Sequence, residues 1–72
     1  MELSKKVKTS IIEKQLAQLE ELIYQFTIRG RVAVKVDDKQ MKNQTTEQLV
    51  KFEKMKLEYQ KLLKEVEKNN NA

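Results

Sequence analysis

The sequence predicts a mainly α protein: an antiparallel two-helix hairpin with a short β element between the helices. Three observations carry this. Two stretches place apolar residues at alternating steps of three and four, the spacing of one helix face. Between them Val32, Val34 and Val36 alternate with Ala33 and Lys35, the period of a pleated strand. The single glycine, Gly30, stands just before that stretch, and there is no proline.

The first helix is expected from Ser4. Ser10 and Glu13 fit a capping box and offer a later start, but Val7 and the lack of any breaker favour the earlier one. Its seam is Ile12, Leu16, Leu19, Ile23 and Phe26. The helix should end at Ile28 or Arg29, with Gly30 as the left-handed residue after the cap. Tyr24, Phe26 and Ile28 also alternate, yet a five-position helical seam outweighs three alternating residues.

Residues 31–36 are then read as a strand and Asp37-Asp38-Lys39-Gln40 as a turn, since aspartates hydrogen-bond locally to turn backbone. A return strand over Gln40 to Gln44 has only Met41 as an apolar residue. The strand therefore either forms a small hairpin or pairs with another copy.

Thr45 and Gln48 fit a capping box that opens the second helix. Its seam is Phe52, Met55, Tyr59, Leu62 and Val66, with Glu47–Lys51, Lys54–Glu58 and Lys61–Glu65 pairs four apart on the exposed side. Residues 1–68 form one helix–β–helix domain, and 69–72 are a disordered tail with nothing to bury. The flanking Ile11, Leu22, Leu49, Val50, Leu57 and Leu63 give each helix more apolar surface than one partner helix covers, which predicts the strand element folding over it, self-association, or both.

Composition narrows the function. With 72 residues and no cysteine, neither a large core nor a disulfide is available. Histidine is absent too, so the usual general bases, thiol nucleophiles and soft metal ligands are missing, and no enzyme and no cofactor are expected. One glycine cannot build a phosphate-binding loop. Asp37-Asp38 is read as turn chemistry before cation binding.

The formal net charge is +4, and its location matters. Arg29, Arg31, Lys35, Lys39 and Lys42, against Asp37 and Asp38, give the centre +3, while the flanking helices are nearly neutral. These five cations are the candidate contacts to a partner or to nucleic-acid phosphates. The plainer reading is that they protect an edge strand from aggregation. No apolar run is long enough for a membrane helix, and the N-terminus lacks the apolar stretch of a signal peptide, so a cytoplasmic or virion protein that is not secreted is expected.

Gln15-Leu16-Ala17, Gly30-Arg31-Val32-Ala33-Val34-Lys35-Val36 and Thr45-Thr46-Glu47-Gln48-Leu49, in that order, resemble the head-completion adaptor of lambda-type tailed phages, the W protein family. The resemblance covers roughly residues 12–60 and lies in layout. It implies two antiparallel helices with a β-hairpin between them, and a structural protein that sits in a ring between head and tail. It implies also that the basic hairpin lies near DNA or a neighbouring subunit. The small hairpin phosphatases of sporulating bacteria are similar in size, but their Ser-Gln-x-x-Asp signature is replaced here by Leu49-Val50-Lys51-Phe52-Glu53. The function expected is therefore a non-enzymatic structural or adaptor protein that self-associates and binds protein partners. A small nucleic-acid-binding or regulatory protein is the alternative.

Overall fold

The computed structural model describes residues 3–68 as two long antiparallel helices, α1 (Lys5–Lys35) and α2 (Lys39–Lys68). The hairpin is as expected. The β element is not: among the described residues there is no strand, and residues 31–35 are the last turn and a half of α1.

The start of α1 follows from Ser4, which is extended and accepts a hydrogen bond at Oγ from the Val7 N–H at 3.2 Å. Ser10 lies inside the helix. At the other end Gly30 has no positive φ and does not stop the helix. The residue that does is Asp37, at φ 60°. Its N–H donates to the Val34 carbonyl at 3.2 Å, and the Asp38 N–H donates to the Ala33 carbonyl at 2.8 Å. This pair of bonds is the Schellman arrangement, with aspartate in the left-handed position where glycine is commoner. Asp38 then caps α2, its Oδ1 accepting from the Met41 N–H at 3.0 Å. Two adjacent aspartates thus end one helix and begin the next. The expected turn is there, and it is shorter than four residues.

Asp37 pays a steric cost for its Cβ in that conformation. Asp37→Gly is therefore expected to raise stability by about 0.5–1 kcal/mol, read as a rise in urea midpoint. A fall in the midpoint would mean that the left-handed turn is not the one that stops α1.

The second helix begins six residues before the expected capping box. Thr45 is no cap: its hydroxyl donates to the Met41 carbonyl one turn back at 2.7 Å. Thr27 and Thr46 do the same to Ile23 and Lys42, at 2.7 and 2.9 Å. The expectation for residues 69–72 lies outside the described residues.

The hairpin is a rod of 54 × 16 × 15 Å with a radius of gyration of 16.5 Å. A compact domain of this length would have about 11 Å. A rod has little interior, and among the described residues only Leu19, Ala33 and Thr45 are buried. From the middle of α1 toward the turn, the contact line between the helices runs through Leu19, Ile23, Phe26, Gly30 and Ala33. The steps are still four and three, so the seam expected to end at Phe26 continues through two small residues. The Phe26 and Phe52 rings meet edge to face with centroids 5.1 Å apart. Nearer the turn Gly30 lies against Thr45.

Candidate interaction surface

Counting the contact line of α2 as Thr45, Leu49, Phe52, Lys56, Tyr59, Leu63 and Val66 restores a regular four–three repeat. All of these are buried or half-buried. Phe52, Tyr59 and Val66 therefore stand where the sequence reading placed them, as do Ile12, Leu16, Leu19, Ile23 and Phe26 on α1. Met55 and Leu62 do not. They are 44% and 45% exposed, and Lys56 and Leu63 take their places between the helices. Lys56 fits because its aliphatic stem can lie along the seam while its ammonium reaches the Glu20 carboxylate, 3.7 Å away.

The corrected repeat sorts the remaining residues to two sides of the rod. One side is lined near the turn by Thr27, Arg31, Val34, Thr46 and Leu49. Its positions next to the seam carry Glu13, Glu20, Glu53 and Glu67, all exposed. The opposite side is lined by Phe26, Arg29, Met41 and Gln48 near the turn and by Met55, Tyr59 and Leu62 further along. Its positions next to the seam carry Leu22, Met41, Met55 and Leu62, each at least a third exposed. The first side also has the exposed Val34 and the second also Val36 and Arg29, so next to the seam charge predominates on one side and apolar residues on the other.

On α1 the apolar side is a second seam. It steps four and three from Ile11 through Gln15, Gln18, Leu22 and Gln25 to Arg29, and continues through Val32 to Val36. Arg29 is its only charged member, and its guanidinium lies over the Phe26 ring, 4.8 Å from the centroid. The sequence reading missed this stripe because glutamine does not count as apolar. Its signal was five successive stripe positions without charge, from Ile11 to Gln25, in a highly charged chain.

The five candidate cations surround the turn. Arg31, Lys35 and Lys42 edge the groove that contains Gly30 and Thr45, and Lys39 lies beside Asp37 and Asp38. Arg29 is on the opposite side, against Phe26. The ion pairs among the described residues are Lys56–Glu20 and Lys61–Glu58, and none of the five takes part in them. They do not converge on one point. Without a strand, the edge-protection reading no longer applies to them.

Comparison with protein-family models, with curated proteins and with solved structures finds no match to this chain. Among the described residues no helix is long and apolar enough to cross a membrane.

Proposed function

We propose that this chain is a non-enzymatic interaction module that works by associating through its helix faces. One observation supports this above the others. Among the described residues fourteen large hydrophobic ones are exposed, while the hydrophobic residues buried between the helices are Leu19 and Ala33. Exposed apolar stripes of this extent mark contact surfaces. The reading covers self-association and binding to other proteins, in the cytoplasm or in a virion. Mass measurement in solution tests it: the expected result is a species heavier than the 8.6 kDa monomer. A single monomeric species at about 1 mM, where even weak specific contacts are populated, would overturn self-association.

A place between phage head and tail is one setting for such association. Its support is now the pair of antiparallel helices of similar length alone, because Gly30–Val36, which carried the likeness to a β-hairpin, is not a hairpin.

The cation collar at the turn favours the alternative, nucleic-acid contact. If phosphates are its ligands, duplex DNA binding should weaken steeply with salt. Replacing Arg29, Arg31 and Lys35 together by alanine should then flatten the log–log slope by about 0.9 for each phosphate no longer neutralised. Under the association reading, DNA binding is expected to be negligible at physiological salt both before and after the replacement.

A further inference from the structure

We propose that a second copy of this chain docks antiparallel on the side that carries Leu22 and Met55, α1 against α1 and α2 against α2. This rests on the association reading above and adds the face, the partner and the register. The side is chosen by the contrast already drawn: apolar residues flank the seam here, and glutamates flank it on the other side. Interface centres are depleted of charge in the same way.

The register follows from self-complementarity. The ion pair of Glu20 with Lys56 and the ring pair of Phe26 with Phe52 fix how the two helices of one copy align, and they put Leu22 level with Met55. A two-fold axis at that level, across the helices, brings each stripe against its own reverse. Leu22 then meets the partner's Leu22. Gln18 meets the partner's Gln25, and Ile11 meets the partner's Val32. On α2 the axis passes Met55, which Lys51 and Glu58 flank at four and three residues. Lys51 therefore lies against the partner's Glu58, and Glu58, which also pairs with Lys61 of its own chain at 3.0 Å, lies against the partner's Lys51. Leu22, Met55 and the Ile11–Val32 pair are apolar on apolar, Gln18 meets an amide and Lys51 an opposite charge, while Arg29 faces the partner's Gln15 and Gln48 faces the partner's Leu62.

The parallel arrangement also sets Leu22 on the partner's Met55, but it leaves Glu58 and Lys51 against the partner's Gln18 and the partner's Gln25 with no opposite charge. It would set the two turns side by side, each with net charge +3 from Arg29, Arg31, Lys35, Lys39 and Lys42 against Asp37 and Asp38. The size also suffices: a side of 54 × 16 Å can supply the about 800 Å² per partner that a stable interface takes.

Sedimentation equilibrium of the whole chain tests this with charge reversals. The parent should be a dimer. Lys51→Glu and Glu58→Lys should each weaken the dimer by about tenfold or more, because like charges then face each other at two symmetric places. The double variant should restore parent affinity within about threefold, and Leu57→Arg, on the other side, should leave it unchanged. Since the chain has no cysteine, Leu22→Cys should also give a disulfide-linked dimer in air, and Leu57→Cys should not. A dimer that ignores the charge reversals and dissociates with Leu57→Arg would overturn the face and leave association standing. Single reversals that weaken the dimer, with no recovery in the double, would overturn the register. A parent that stays monomeric at about 1 mM would remove both, and leave this side to the helix of a different protein.

Discussion

Leu19→Ala is expected to lower stability by about 3 kcal/mol, a large share of what so small a fold can have. Leu19 is 3% exposed, the most enclosed large side chain among the described residues. It sits near the middle of a rod, where the neighbouring seam residues are only half-buried and can close over a cavity only in part. In a chain of this length the loss should appear as a fall in melting temperature of more than about 10 °C. Met55→Ala is the control at low protein concentration. It removes a side chain of similar size from outside the seam and should cost less than about 1 kcal/mol in the monomer. If Leu19→Ala and Met55→Ala melt together, the contact line between the helices is misplaced.

The hairpin was legible because each helix carries a long apolar seam, and the summed burial of a seam outweighs local preferences. The β element misled because valine alternation is a weak signal. β-propensity spans only about 1 kcal/mol and is realised only when a strand has neighbours. A lone strand over residues 31–36 has none in this chain, whereas extending α1 adds one backbone hydrogen bond for each residue fixed. The outcome is visible in the burial: Val32, Val34 and Val36 are all exposed, and Ala33, the small residue between them, is wholly enclosed. Hydrophobicity pointed at the valines, while the three–four spacing carried on from Phe26 pointed at Gly30 and Ala33.

The same tension explains α2. Phe52, Tyr59 and Val66 belong to two overlapping repeats, one that adds Met55 and Leu62 and one that adds Lys56 and Leu63. Hydrophobicity alone prefers methionine to lysine. Packing prefers the position that faces α1, and lysine can fill it with its stem while its charge reaches Glu20. The candidate cations were legible as exposed charge, because a run of five with few acids nearby has nowhere to be buried. Which side of the rod would associate was not legible until the seam was fixed. Shifting the repeat by one residue moves Met55 and Leu62 from the interior to the surface they occupy.

Gly30→Leu should cost about 2–3 kcal/mol, because Gly30 faces Thr45 across the seam and a larger side chain must push the two helices apart. A Cβ built on Gly30 lies 3.2 Å from the Thr45 Cγ2. Thr45 cannot simply turn away, since it is 3% exposed and its hydroxyl is committed to the Met41 carbonyl. For Gly30→Ala two effects of similar size oppose each other. Alanine gains about 1 kcal/mol of helix propensity, and its methyl presses on a held neighbour, so the net change should be small. Thr45→Ser removes the pressed methyl and keeps the hydroxyl bond to Met41, at a cost of about 1 kcal/mol for the reduced packing. In that background Gly30→Ala should recover most of its propensity gain and fill the space left. The double-mutant cycle, measured by urea unfolding, should therefore show a favourable coupling of about 0.5–1 kcal/mol between positions 30 and 45. Additive effects, or a Gly30→Leu variant as stable as the parent, would show that the helices do not meet there. The end of α1 would then need a reason other than packing against Thr45 to be helix rather than strand.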